Sequence, residues 1–286
     1  MTEAKIENIS DTARWVALYR AIETERPDAH FRDPFARRLA GERGAAIAKG
    51  MPRFRSGLWP MVVRTCLFDE LIARAVQKEG IDTILNLAAG LDARPYRMPL
   101  PAATRWIDVD LPEILSYKQG MLAAERSLCD YEPKAIDLRD AAARRALFEG
   151  VGRGSRKTLV LSEGLLVYLT HEEVASLAED LHAQPSFHWW VIDLASPQLL
   201  LMLRKRWGKP LDAAGALLQF APAEGTEFFR RHGWKEVEFL STWDESKRLR
   251  RQMPMAWLWR LLARFAPAER REGMRRFSGI VLLERL

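Results

Sequence analysis

Cysteine is almost missing: the 286 residues contain two, Cys66 and Cys129, standing far apart. A disulfide framework is thereby excluded, and no paired metal-ligand spacing suggests a zinc site. Long apolar runs are missing as well, since none approaches the ~20 residues needed to span a bilayer. The opening MTEAKIENISDTARW carries neither the basic nor the apolar segment of a secretory signal. Internal repeats and low-complexity linkers are also lacking. These absences lead us to expect a soluble, cytoplasmic protein with no membrane partner.

What is present is ordinary for a globular chain. Hydrophobic residues make up 48% and charged residues 29%, which argues against disorder. The length suits one large α/β domain with an added lid, or two small domains. The net charge is +6, and basic residues crowd the C-terminal third, from Lys247, Arg248, Arg250 and Arg251 to Arg270, Arg271, Arg275 and Arg276. Trp243, Trp257 and Trp259 lie among them, as a nucleic-acid stacking platform requires. Yet Trp257, Leu261, Leu262 and Phe265 recur at helical spacing, which favours a solvated helix whose apolar residues pack inward. No nucleic-acid partner is expected.

Three helical patterns open the chain, at 12–26, from Asp33 onward with Gly41 and Gly44 as interruptions, and at 60–78. All precede the first clear strand, so residues 1–80 read as a helical cap on a core at 81–286. From residue 82 short apolar runs alternate with helical stretches, at 82–88, 104–109, 133–137, 157–162, 187–194, 234–240 and 277–284. That alternation predicts an α/β fold with a seven-stranded, mostly parallel sheet. The helical segment 244–276 between the last two runs suits a final strand inserted antiparallel. Lid segments are expected near 196–232 and 244–276.

The most informative stretch is DTILNLAAGLDAR, from Asp82 to Arg94, where a buried strand enters a turn of small residues around Gly90. In open α/β sheets ligands bind beyond the carboxyl ends of the strands, and backbone free of side chains lets them approach. The GxGxxG spacing of dinucleotide sites is not met, which counts against a dinucleotide-dependent oxidoreductase. The next run, WIDVDLP, ends in carboxylates about 20 residues later, where a ribose-binding acid belongs. Asp110 stands at its edge; Asp108, two residues earlier on the same face, is the alternative. Asp137 in AIDLRD ends the third run, placed to accept from an adenine amino group with Leu138 against the ring.

Taken together, TARWVALYRAIETERPDAHFRDPFARRLAG, VVRTCLFDELI, LNLAAGLDARPYR, IDVDLPEILSYK, IDLRD and SEGLLVYL resemble the leucine carboxyl methyltransferase family over nearly the whole chain. The likeness is strongest to its bacterial branch of S-adenosylmethionine-dependent O-methyltransferases. The resemblance implies a Rossmann-like class I methyltransferase fold with S-adenosyl-L-methionine as cofactor. It implies that the turn residues Ala88 and Gly90 bind the cofactor, Gly90 against its methionine part, and that Asp110 holds the ribose hydroxyls. Asp137 and Leu138 would frame the adenine. Glu163 would lie near the sulfonium and amino group, and Arg64 would pair with the cofactor carboxylate.

This chain departs from the family pattern in two places. The first turn often reads Leu-Gly-Ala-Gly, whereas here Ala88 stands at the second position, which is tolerable only with negative φ. Related enzymes carry a lysine in the first helix; this chain has none between Lys5 and Lys49, leaving Thr12, Arg14 or Arg20 as substitutes. That counts against a protein C-terminus as acceptor and favours O-methylation of a small-molecule carboxylate or hydroxyl. A hydroxyl acceptor needs a base, for which Glu163, Tyr168, His171 and His232 are candidates, with Thr170 reading better as a helix cap. Phe220, Phe228, Phe229 and Trp207 form either an apolar acceptor pocket or the core of the lid. No acidic cluster suggests magnesium, so metal-independent chemistry is expected.

Overall fold

Thr83–Leu87 is buried at every residue and forms β1, the middle strand of a seven-stranded sheet. The computed structural model describes residues 9–50, 57–213, 215–253 and 255–286, so most of the opening stretch read for targeting signals lies outside the described residues. Around β1 stand β2 (Arg105–Asp110), β3 (Asp130–Ala135), β4 (Thr158–Ser162), β5 (Phe187–Ala195), β6 (Trp234–Ser241) and β7 (Ser278–Arg285), in the order β3-β2-β1-β4-β5-β7-β6. The first five run parallel, and β7 is antiparallel to both β5 and β6. This is the expected mostly parallel sheet with an antiparallel last strand.

Period-two alternation divides the core. Ile84, Trp106, Leu159 and Leu161 point to one face, where α3 (Leu58–Lys78) lays Val62, Val63, Cys66, Leu67, Leu71 and Ile72 on them. Leu85, Leu87, Ile107, Val109 and Val160 point to the other, covered by α6 (Ala141–Arg153) and α7 (His171–His182) through Phe148, Val174, Leu177 and Leu181. Thr170 caps α7 in a full capping box with Glu173, as its sequence predicts. The third strand starts three residues before the expected 133–137 and is half exposed, because it is an edge strand. Its Pro133 is compatible only with that position.

Helices α1 (Ile9–Thr24) and α2 (Ala36–Gly50) pack on each other, and α2 kinks at Gly41, where φ is 61°. Ala17, Leu18 and Leu39 meet Leu91 and Ala93 after β1, and Ile114 of α5 (Pro112–Met121). Arg20 fixes the approach by donating to Asp33 Oδ2 at 2.8 Å and to the Leu91 carbonyl. Between β5 and β6 lie α8 (Pro197–Ala213) and a short α9 (Glu227–Arg230). Phe220, Phe228 and Phe229 from this region are buried with Trp190 and Trp234, so they belong to the core.

The basic region 242–275 folds as α10 (Thr242–Arg248), α11 (Ala256–Arg264) and α12 (Ala268–Arg275). Here the structure corrects the expectation of inward packing. Trp257 is 67% exposed, Trp259 56% and Phe265 83%; Leu261 is exposed as well, while the Leu262 side chain lies outside the described residues. A helical apolar period shows that a helix is two-faced, but not which face meets the protein.

One buried ion pair locks β2 to the helix that follows it. Lys118 and Asp108 are both fully buried, and Lys118 Nζ donates to Asp108 Oδ2 at 2.5 Å. The other oxygen, Oδ1, accepts from Trp106 Nε1 at 2.8 Å and Asn86 Nδ2 at 3.0 Å. Removing one partner of such a pair leaves a charge stranded in the core. Lys118→Met is expected to lower stability by about 3–5 kcal/mol in urea unfolding, with most of it regained in Lys118→Met/Asp108→Asn. Equal stability of Lys118→Met and the parent would refute the role given to this pair.

Candidate active site

The chain leaves β1 through a turn holding two residues in the left-handed backbone region, Ala88 and Gly90, each at φ 52°. Negative φ at Ala88 is therefore not what the structure has. The turn must bring the Ala89 amide back to the Val109 carbonyl at 3.1 Å, and this tertiary contact overrides the local preference of alanine. At Gly90 a side chain would meet Cβ of Ala13 in α1 at 3.2 Å.

The same turn aims the Gly90 amide at the end of β2. It donates to Asp110 Oδ2 at 2.6 Å, and the Leu111 amide donates to Oδ1 at 2.7 Å. Each carboxylate oxygen keeps acceptor capacity beyond the lone pair its amide takes. Burial pushes the Asp110 carboxyl above the ordinary aspartate range, against the opposing pull of the two amides. Asp108, the alternative, is saturated by Lys118, Trp106 and Asn86 and has no exposure. Asp110 is the acid that remains available.

Beside this turn runs an ionic network. Arg64 of α3 lies 3.0 Å from Glu163 through Nε and 3.1 Å from Asp193 through Nη1. Arg94, in the short helix α4 (Arg94–Arg97), joins Glu163 at 2.8 Å, Asp92 at 2.6 Å and Asp69 at 2.6 Å. Arg97 adds a bond to Asp69 at 2.8 Å, and the Gly164 amide donates to Asp193 Oδ1 at 2.7 Å. Three guanidinium groups thus sit among four carboxylates. Burial raises the Asp92 and Asp69 carboxyls, but neighbouring cations outweigh it, chiefly Arg94 for Asp92 and Arg97 for Asp69, and hold both low. Arg64 and Glu163 are brought together as expected, though Arg64 is engaged with protein carboxylates. Asp193, Arg94, Asp92 and Asp69 were not anticipated; an acid near the carboxyl end of β5 is a signal that could have found Asp193.

The remaining candidates are spread more widely. Asp137 is partly exposed and bonded to Arg139 at 2.7 Å, and Leu138 packs partly buried against the core. Of the possible substitutes for the family's lysine, Arg20 is bonded to Asp33, and Arg14 lies 3.7 Å over the Tyr117 ring. Thr12 hydrogen-bonds Tyr168, which lies in the field of Arg64 and Asp193. Among the proposed bases, Glu163 is held by two arginines, and burial pushes the Tyr168 phenol upward. His171 is packed against Phe220 and Phe228, and His232 bonds Glu179, two turns along α7.

The leucine carboxyl methyltransferase family matches residues 13–182. This chain belongs to that family. Membership makes it a methyltransferase, and its fold is the class I methyltransferase fold. A relative from Mycobacterium bovis is 32% identical over 281 residues, spanning 88% of each chain. Another, from Mycolicibacterium paratuberculosis, is 33% identical over 276 residues, spanning 87% of this chain and 86% of its own. Both are described as candidate S-adenosyl-L-methionine-dependent methyltransferases. A DUF574-family protein from Streptomyces avermitilis shares the fold at a TM-score of 0.61 and 15% identity, over 96% of this chain and 97% of that one. So does a candidate methyltransferase from Thermobifida fusca, at 0.61 and 14% identity over 99% and 96%.

In this methyltransferase the left-handed alanine has a testable cost. Ala88→Gly is expected to raise stability by about 1 kcal/mol, the penalty of a Cβ at positive φ less the extra freedom of glycine when unfolded. Urea unfolding measures it, and a destabilised variant would show that the turn depends on the alanine methyl group.

Proposed function

We propose that this chain methylates the carboxylate oxygen of a small apolar acid, with S-adenosyl-L-methionine as its cofactor. The observation that carries the reading is Asp110, presented at the end of β2 by two backbone amides with acceptor capacity to spare. A carboxylate fixed in this way suits the two hydroxyls of a ribose. Gly90 is bare where a methionine chain would pass, Ala88 shapes the same turn, and Leu138 with Asp137 would flank the adenine. Asp137 would have to share its carboxylate with Arg139. The Arg64–Glu163–Asp193 cluster has one carboxylate more than its arginines neutralise, which favours an ammonium or sulfonium beside it. Arg64 would reach the cofactor carboxylate with a donor not used by Glu163 or Asp193.

When bound, the cofactor supplies an electrophilic methyl group on a sulfonium. The protein's task is to align an acceptor and exclude water. Trp15, Tyr19, Tyr168, Leu200 and Trp207 form an apolar cluster suited to that exclusion. The buried indole N–H of its Trp207 has no hydrogen-bond partner among the described residues, so an oxygen acceptor would satisfy it. None of the four candidate bases is both free and poised, and a carboxylate needs none. That favours an acid over a phenol or alcohol. The free, buried thiols of Cys66 and Cys129 accord with a reducing, cytoplasmic location.

The family's printed description favours a second reading, a protein C-terminal carboxylate as acceptor. Incubation with labelled S-adenosyl-L-methionine and a panel of aryl acids, phenols and peptides separates the two. A labelled small acid that releases volatile methanol in mild alkali is expected. Label that survives alkali would mean an ether and overturn the carboxylate assignment, and label confined to peptide would favour the second reading.

A further inference from the structure

The strand directions place the C-terminal helices at the same end of the sheet as Asp110. Strands β5 and β6 are both antiparallel to β7, so Ser241 and Ser278 stand at the edge where β4 and β5 end. The excursion between them, α10 to α12, therefore projects from the carboxyl edge, and the Ser196 amide bonds the Phe277 carbonyl at 3.0 Å where it returns.

Within eleven residues this excursion exposes Met255, Trp257, Trp259, Leu261 and Phe265. Trp257 and Leu261 join Trp243 and Met274 in lining an open groove of about 560 Å³. Four cations border the same groove: Lys247, Arg264, Arg271 and Arg275. Its single acid, Asp244, is bonded to Arg275 at 2.9 Å, and the other three cations make no ion pair among the described residues. At the same end α8 exposes Leu201 and Met202.

We propose that α10–α12 form a docking surface for an anionic lipid bilayer. Apolar and aromatic side chains beside unpaired cations describe a helix that lies in the interface, with rings at headgroup depth and cations on lipid phosphates. A nucleic acid is less well matched: base stacking employs tryptophans, but Met255, Leu261 and Phe265 have no part in tracking a phosphate backbone. A second copy of the chain is opposed by charge, because a two-fold contact would set Lys247, Arg264 and Arg271 against their own likenesses. No helix among the described residues is long and apolar enough to cross a membrane. The absence of a membrane partner, expected because no run spans, does not extend to a helix lying on the surface.

The proposal does not depend on methyl transfer, so it is tested on the intact protein without cofactor. Sedimentation with phosphatidylglycerol-containing vesicles and with pure phosphatidylcholine vesicles compares the parent, Trp257→Ala/Phe265→Ala and Lys247→Glu/Arg271→Glu. The altered side chains are exposed, and circular dichroism checks that each variant keeps its fold. The parent is expected to bind the anionic vesicles selectively, the apolar variant at least about tenfold more weakly. The charge variant is expected to lose about fivefold for each cation neutralised, and more on reversal. The proposal is overturned if the folded parent ignores anionic vesicles, or if the apolar variant binds them as well as the parent does. Retention of a single-stranded oligonucleotide in place of vesicles would overturn it in favour of a nucleic-acid surface.

Discussion

The carboxylate of Asp110 is held by the backbone, and the rest of the site is arranged around that fact. Two amides from different segments, Gly90 after β1 and Leu111 after β2, converge on one side chain. They meet because the parallel register sets Leu87 beside Val109 and because the turn between them uses two left-handed residues. A glycine at 90 permits the turn, and alanine at 88 endures it. The buried Asp108–Lys118 pair then holds β2 against α5 directly beneath, so the edge of β2 cannot drift.

Electrostatics complete what the backbone begins. The network from Arg64 through Glu163 and Arg94 to Asp69 fastens α3, the β1 and β4 turns and β5 to one another. In a region this dry such pairs hold geometry more than they add stability. They also leave the end of the sheet with excess negative charge beside an apolar, aromatic cluster. A positively charged donor fits that combination, and the acceptor proposed above, a carboxylate, needs none of the four candidate bases.

Much of this was legible in the residues. The buried strands β1, β4 and β5 announced themselves as short apolar runs, and Gly90, Asp110 and the Thr170 cap fell where spacing put them. What was not legible depended on partners distant in sequence. Alternation sets Asp108 and Asp110 on one face, and the bonds from Lys118, Trp106 and Asn86 mark Asp108 as the structural acid and leave Asp110 as the available one. Arg64 and Asp193 are 129 residues apart, so no local pattern could pair them. The start of the edge strand β3 was misplaced by three residues because DYEPKA is polar, and the outward turn of Trp257 and Phe265 hid because periodicity carries no direction.

The central claim is that Asp110 anchors S-adenosyl-L-methionine, and calorimetric titration tests it most directly. S-adenosyl-L-homocysteine titrated into the parent protein is predicted to bind saturably. Asp110→Ala should weaken that binding by at least about a hundredfold, the loss of two charge-assisted hydrogen bonds at about 1.5–3 kcal/mol each. A folded Asp110→Ala variant that binds as tightly as the parent, or a folded parent that does not bind at all, would contradict it.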